Sequence, residues 1–261
     1  VLSQNAVVLG SIIRVPQRFF EFGWEVFSAV LDYRKNILKK GLDQDYREKA
    51  LWLQHWSRRC LRALNVHCTC EGTLPRNGML ASTHVSYLDV LVIAAHIPCV
   101  FVAKSQVRKW PVVGWITNLA GTLYVSRENR GDVKRVAAAF RPIINLGLVA
   151  VVFPEGTSTN SHEVRPFYSS LFEPAVDCDF PITSAWVGYK VPEPYKVENN
   201  VCFWGDMGFA PHLIRLMSTP RIDAKLVFGR AIEHPTDRKE AALSMHEEAV
   251  RIATKEGFLA Q

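Results

Sequence analysis

From about Val66 onward the chain alternates short apolar runs with stretches of helical periodicity, and this alternation constrains its fold more than any other feature. Seven runs resemble strands: residues 66–70, 79–83, 99–103, 122–126, 149–153, 182–188 and 222–228. Helices are predicted at about 89–95, 114–119, 132–146 and 211–217, and from near Thr236 to before Gly257. The run 149–153 is apolar throughout, which is typical of a strand buried on both faces. The pattern predicts an α/β fold with a mixed, largely parallel sheet flanked by helices.

The first 65 residues predict an amphipathic helical hairpin with a basic balance, eleven Lys and Arg against six Asp and Glu. In the first helix apolar side chains recur at three- and four-residue steps, at Ile12, Val15, Phe19, Phe22, Val26 and Val30. A second helix is predicted over about 46–64. The hairpin is either packed on the core or an interfacial anchor for anionic lipid, and its many large aromatic side chains favour the anchor. We therefore divide the chain into a membrane-interfacial segment, 1–65, and an α/β domain, 66–261.

Charge and hydropathy leave several classes of partner open. The net charge of +6 is compatible with nucleic acid, an anionic membrane or a phosphorylated substrate. Basic and aromatic residues are not interleaved on any nucleic-acid-binding motif, so nucleic acid is not expected as a partner. The chain is 48% hydrophobic but contains no uncharged run of about 18 residues that would span a bilayer.

The six cysteines give no sign of a metal site or of a disulfide framework. Cys68 and Cys70 are close together, but no second Cys or His pair at zinc spacing accompanies them. Reduced thiols in a cytosolic setting are the expected state, and no metal is predicted.

His84 and Asp89 are the first candidates for chemistry, since they lie where a predicted strand meets a predicted helix. An Asp in the first helical turn can accept a hydrogen bond from such a His, which leaves the other ring nitrogen free to take a proton. The pair thus predicts a general base without a protein nucleophile. The same spacing also occurs in a capped helix that has a His beside it by chance.

Two further blocks follow at predicted strand ends. In the first, Gly121 permits a tight entry into a strand and Arg127 follows that strand with a planar cation suited to phosphate. In the second, residues 153–158 form a turn whose N–H groups could face an anion or an oxyanion. Taken singly, the blocks could equally be an exposed arginine and an ordinary turn.

In this order the blocks resemble the signature of the glycerolipid (lysophospholipid) acyltransferase family: His-x4-Asp, Gly-x5-Arg, Phe-Pro-Glu-Gly-Thr and a Pro-apolar block at Pro181. The resemblance covers about residues 66–190. Ser158 stands where many members have Arg. Beyond this region, residues 204–207 and the helix after them are similar to bacterial members that acylate lyso-lipids, including lyso-ornithine lipid.

The resemblance implies acyl transfer from acyl-CoA or acyl carrier protein to the hydroxyl of a lysophosphatidate-like lipid. His84 would be the base and Asp89 would orient it, with no cofactor or metal. The substrate-binding candidates are Lys104, Gly121, Arg127, Glu155, Gly156 and Thr157. The enzyme would act at the cytoplasmic face of the inner membrane.

Several alternatives stay open at this point. The acceptor could be lyso-ornithine lipid, another lysolipid without phosphate, or glycerol-3-phosphate. A lipid or thioester hydrolase would release fatty acid on the same pair, but no Gly-x-Ser-x-Gly elbow supplies a nucleophile. A non-catalytic membrane-binding protein would need only the amphipathic N-terminus and the basic charge.

Overall fold

A seven-stranded mixed sheet forms the centre of the computed structural model, which describes residues 4–110, 113–125 and 130–259. The strands are β1 (Val66–Glu71), β2 (Gly78–Ser82), β3 (Cys99–Lys104), β4 (Leu123–Val125), β5 (Val149–Val152), β6 (Ile182–Lys190) and β7 (Ile222–Ile232). Their order is β1-β7-β6-β2-β5-β3-β4. From β6 to β4 all strands are parallel, whereas β7 is antiparallel to β6 and β1 is parallel to β7. The predicted α/β class and the largely parallel sheet are confirmed.

Helices cover both faces of this sheet. They are α1 (Gln4–Asp32), α2 (Tyr46–Ala63), α3 (Leu88–His96), α4 (Val113–Leu119), α5 (Arg130–Asn145), α6 (Glu173–Cys178), α7 (Val197–Asn200), α8 (Phe209–Ser218) and α9 (Arg238–Lys255). The sequence did not predict α6 and α7, because one or two turns are too short to show helical periodicity. Asp237 caps α9, since its carboxylate accepts from the amides of Lys239 and Glu240.

Side chains that alternate along the strands build two core layers. Leu80 and Val151 pack on one face, in a cluster that includes residues of α2, α3 and α8. Ala81 and Val152 pack on the other, with residues of α5, α6 and α9. Because the central strands are covered on both sides, they contain almost no polar residue, as buried parallel strands require.

The N-terminal hairpin is attached to the rest of the chain through buried residues of α2 and through one face of α1. Arg18 is 5% exposed, and its guanidinium donates to the carbonyls of Met217 (3.0 Å) and Pro220 (2.6 Å) around the end of α8. The Met217 carbonyl is in the last turn of α8, where carbonyls have no partner within the helix, so the arginine satisfies it. Within the hairpin, the Trp52 indole donates to the carbonyl of Ala29 at 3.1 Å. The hairpin therefore docks through hydrogen bonds as well as apolar packing.

The opposite face of α1 leaves its large apolar side chains uncovered. Phe20 is 73% exposed and Trp24 is 56% exposed. The same face includes Ile12, Ile13, Phe19, Phe27 and Leu31. Among the residues that the structure describes, no helix is long and apolar enough to cross a bilayer. The buried cluster that contains Trp52 also contains sheet residues, so the division of the chain at residue 65 stays a prediction.

Candidate active site

The candidate site lies at the edge of the sheet where the carboxyl ends of β2, β5 and β3 meet. His84 lies two residues after β2, Glu155 lies three residues after β5, and Lys104 is the last residue of β3. Open α/β sheets bind ligands at such an edge. Arg127, which follows β4, lies outside the described residues.

The backbone that presents His84 is held by neighbouring loops. The carbonyl of His84 accepts from the amide of Thr159 at 3.0 Å, and that of Val85 accepts from the amide of Phe203 at 2.8 Å. These bonds join the His loop to the segments after β5 and after α7. The imidazole is therefore placed by a fixed backbone.

Asp89 is fully buried and accepts four hydrogen bonds. Its Oδ2 accepts from His84 Nδ1 at 2.8 Å and from the amides of Val85 (2.8 Å) and Ser86 (3.0 Å). Its Oδ1 accepts from the Tyr189 hydroxyl at 2.5 Å. Four donors satisfy a carboxylate that burial would otherwise penalise.

The contacts of His84 leave one ring nitrogen free. Because Nδ1 donates to Asp89, the neutral ring has its lone pair on Nε2. Nε2 makes no hydrogen bond within the described part of the chain, and the side chain is 21% exposed. The ring stacks on Phe153, with centroids 4.0 Å apart. An oriented imidazole with an open Nε2 can take a proton from a bound hydroxyl.

Glu155 supports the same loop from a buried position. It is 3% exposed, and its two oxygens accept from the amides of His84 (2.8 Å) and Arg165 (2.9 Å). Burial raises the pKa of Glu155 to about 7, although both amides and the nearby His84 oppose the rise. The sequence did not suggest this support of the His84 backbone. The predicted acceptor-binding role of Glu155 stays a prediction.

Replacing Glu155 by Gln should change how stability depends on pH. The folded-state pKa of Glu155, about 7, exceeds the ordinary value of 4.5. Between pH 4.5 and about 7 the Glu155 carboxyl is therefore protonated in the folded protein and ionised in the unfolded protein. The native protein should therefore lose up to about 3 kcal/mol of unfolding free energy, relative to Glu155→Gln, as pH rises from about 5 to about 8. Urea unfolding of both proteins across this range measures the difference.

The control for this series is Glu163→Gln, which alters an exposed carboxylate paired with Arg165. It measures what a Glu-to-Gln change at an exposed position contributes across the same range. Glu155→Gln also places an NH2 group against a backbone N–H donor, which lowers the unfolding free energy of the variant by an amount that does not depend on pH. This constant amount cancels when the unfolding free energies at two pH values are compared. The prediction would be contradicted if the difference in unfolding free energy between the native protein and Glu155→Gln stayed constant across this pH range.

The turn after β5 brings two more predicted residues to this edge. The amide of Gly156 donates to the carbonyl of Phe153 at 3.1 Å and closes the turn. Gly156 has a φ of +73°, a conformation that favours glycine. Thr157 is exposed, as is Lys104 at the end of β3. Their predicted contacts with substrate stay predictions.

Gly121 lies away from His84. It precedes β4 and so lies at the amino end of a parallel strand, at the opposite edge of the sheet. Its φ is +76°, and a Cβ there would come within 3.1 Å of Lys49 and 3.5 Å of Tyr46 in α2. The structure thus gives this glycine a role in the turn and in packing against α2, and it does not join Gly121 to the candidate site.

Tyr189 is the site residue that the sequence did not reveal. β6 runs beyond the end of β2, since Ser82 at that end pairs with Ala185, and Tyr189 therefore reaches Asp89. The predicted strand over 182–188, which stops one residue before Tyr189, was the signal available in the sequence. His162 pairs with Glu198 at 2.7 Å on the surface and has no contact with the His84–Asp89 pair. No cluster of His, Cys, Asp and Glu within the described ranges could hold a metal.

Comparison with known proteins supports the resemblance seen in the motifs. A family model described as Acyltransferase matches residues 65–188. The lyso-ornithine lipid O-acyltransferase of Pseudomonas aeruginosa is 30% identical over 203 residues, which cover 76% of each chain. The 1-acyl-sn-glycerol-3-phosphate acyltransferase of Neisseria gonorrhoeae is 27% identical over 59% of this chain and 60% of its own.

The fold has a counterpart among solved structures. The 1-acyl-sn-glycerophosphate acyltransferase PlsC from Thermotoga maritima superposes with a TM-score of 0.63 at 17% identity, covering 93% of this chain and 98% of that one. This match shows a shared fold, whereas the family follows from the sequence relatives. The chain therefore belongs to the lysophospholipid acyltransferase family and is an O-acyltransferase.

Proposed function

We propose that the protein transfers an acyl chain from acyl-CoA or acyl carrier protein to the free hydroxyl of a lyso-lipid, with His84 as general base. The observation that carries this proposal is the hydrogen bond of 2.8 Å between His84 Nδ1 and the buried Asp89, which leaves Nε2 open. An alcohol is too weakly acidic to attack a thioester at neutral pH unless a base removes its proton as the new bond forms.

The proposed reaction has no acyl-enzyme. Nε2 of His84 takes the hydroxyl proton while the hydroxyl oxygen attacks the thioester carbonyl. The tetrahedral intermediate then collapses, the carbon–sulfur bond breaks, and the imidazolium returns the proton to the departing sulfur. Asp89 orients the ring and stabilises its charged form. Loop N–H groups near Thr157 are the proposed donors to the oxyanion.

As acceptor we propose a lyso-lipid with an amino-acid headgroup, of the lyso-ornithine lipid type. The relatives named for that acceptor align over more of this chain than those named for 1-acyl-sn-glycerol-3-phosphate, 76% against 59% for the two described above. Ser158 also supports it, since an Arg frequent in the family is replaced by a hydroxyl that donates to the carbonyl of Phe203. A site with fewer cationic side chains binds a phosphate group less strongly.

A lysophosphatidate acceptor is the second candidate, because Lys104 is exposed at the same edge of the sheet. Mass spectrometry of the products separates the two. The purified protein is given acyl-CoA or acyl carrier protein with lyso-ornithine lipid, lysophosphatidate, glycerol-3-phosphate or a neutral lysolipid. The proposal expects acylated ornithine lipid as the main product. Exclusive acylation of lysophosphatidate or glycerol-3-phosphate would overturn this choice of acceptor.

We also propose that the exposed face of α1 docks on an anionic membrane, at the cytoplasmic face of the inner membrane where acyl thioesters are available. Its support is the row of uncovered aromatic side chains on α1, with Phe20 at 73% and Trp24 at 56% exposure. Aromatic and aliphatic side chains on one face of a helix insert at headgroup depth, and nearby Lys and Arg attract anionic lipid.

Replacing Phe20 and Trp24 by Ser should weaken vesicle binding by at least about tenfold, because two large apolar side chains are then no longer transferred from water into the membrane interface. Co-sedimentation with vesicles of phosphatidylglycerol and phosphatidylcholine measures the binding. The control is Leu243→Ser, which removes an apolar side chain that is 59% exposed on α9. Equal binding by the native and the doubly substituted protein would contradict docking through α1.

A further inference from the structure

We propose that Tyr189 is a positioning residue for acyl transfer, holding the Asp89 carboxylate in the orientation that His84 requires. This inference rests on the proposed function of His84 as the base. Tyr189 lies one residue beyond the segment that matches the family model, and the motifs of the sequence do not include it.

The contacts of Asp89 divide unequally between its two oxygens. Oδ2 accepts from one short loop only, through the His84 ring and the amides of Val85 and Ser86. Oδ1 accepts from Tyr189 alone among the described residues, at 2.5 Å. Rotation of a carboxylate about its terminal bond is soft, so bonds to one oxygen define its plane poorly. The second anchor on Oδ1 fixes the plane, and with it the direction of the bond to His84.

Tyr189 is suited to be that anchor because it comes from the sheet. It is 1% exposed on β6 and pairs with Ala224 of the neighbouring strand β7. Sites that are built on strands are held more accurately than sites on loops. The hydroxyl therefore connects the His84–Asp89 pair to the central sheet.

The Tyr189 hydroxyl also stays protonated, so it can always donate to Asp89 Oδ1. Burial, together with the adjacent Asp89 carboxylate, raises the pKa of Tyr189 well above its ordinary value of 10. The phenol thus keeps its proton, and the buried Oδ1 keeps its donor. Without that donor, Oδ1 would be a charged acceptor that is buried and unsatisfied.

Tyr189→Phe tests the role, since it removes one oxygen and leaves the ring in place. The kcat of acyl transfer should fall about tenfold, while the KM values for donor and acceptor stay within about twofold. The matched control is Tyr33→Phe, which alters another buried tyrosine, packed edge-on to Trp52. An unchanged kcat, or a loss that appears only in KM, would overturn the proposal.

A double-mutant cycle with Asp89→Asn shows whether Tyr189 acts through Asp89. In the Asp89→Asn background the Tyr189→Phe change should lower kcat by at most about twofold, because the charged carboxylate is gone. The same loss in both backgrounds would mean a general packing defect and would overturn the role. Acyl transfer that survives His84→Ala would instead refute the proposed base, which is a separate failure.

Proton NMR of the unmodified protein keeps the inference testable if the Phe variant does not fold. A buried phenol that donates to a carboxylate should give a slowly exchanging downfield hydroxyl signal. Asp89→Asn should move that signal or abolish it, while Tyr33→Phe should leave it in place. A native spectrum without such a signal would overturn the proposal.

Discussion

Replacing His84 by Ala should lower the rate of acyl transfer by about 10²–10⁴-fold, the contribution that a general base typically makes. Neither of the two carboxylates that the described structure places beside His84 is suited to this role, because Asp89 is fully buried and Glu155 has both oxygens bound to backbone amides. The measurement is product formation at saturating donor and acceptor.

The control for this variant is His234→Ala, which removes a histidine whose side chain is 79% exposed. It should keep native activity. Vesicle binding of His84→Ala should match that of the native protein, since the exposed face of α1 is unaltered. A purely membrane-binding protein would show no acyl transfer in either form. Transfer retained after removal of the imidazole would contradict the proposed base.

Asp89→Asn should lower kcat about a hundredfold with little loss of stability. The Asn oxygen can occupy the place of Oδ2 and accept the same three N–H bonds, while its NH2 group donates to the Tyr189 oxygen. The tautomer of His84 is thus kept, and what disappears is the negative charge that stabilises the imidazolium as it forms.

Steady-state kinetics and urea unfolding together check this prediction. Asp177→Asn serves as the control, because Asp177 is exposed on α6 and far along the chain from the His loop. Its kinetics should equal those of the native protein. If Asp89→Asn keeps more than about half of native kcat, the carboxylate charge plays no part in the reaction.

The strands and the His84–Asp89 pair could be predicted because their residues carry local signals. Strands buried on both faces appear as apolar runs, and His84 and Asp89 are only five positions apart in the chain. Strand direction also places Gly121, because a residue before a parallel strand lies at the opposite edge from residues that follow parallel strands.

Tyr189 and the support that Glu155 gives to His84 could not be predicted, because both depend on long-range geometry. The predicted strand ended at residue 188, whereas β6 continues to Lys190 and carries Tyr189 past the end of β2. The orientation of the Glu155 oxygens is likewise set by the amides of two separate loops. Contacts of this kind between distant segments produce no periodic pattern of residues in the sequence.

The N-terminal helix shows a limit of amphipathic patterns. Its apolar stripe was visible, but the pattern does not tell which face is covered by protein. The buried Arg18, bound to a carbonyl at the end of α8, lies on the inner face of the helix together with Val15 and Phe22. This arrangement leaves Phe20 and its neighbours uncovered.

The hydrogen bond between His84 Nδ1 and Asp89 leaves one ring nitrogen to carry protons in the proposed reaction. With Nδ1 held by Asp89 and the ring stacked on Phe153, the proton taken from an alcohol and the proton given to sulfur would pass through the same atom, Nε2. Because acyl transfer moves one proton from oxygen to sulfur, it leaves the acidity of a weakly buffered solution unchanged, whereas hydrolysis of the thioester would acidify it by one proton per turnover.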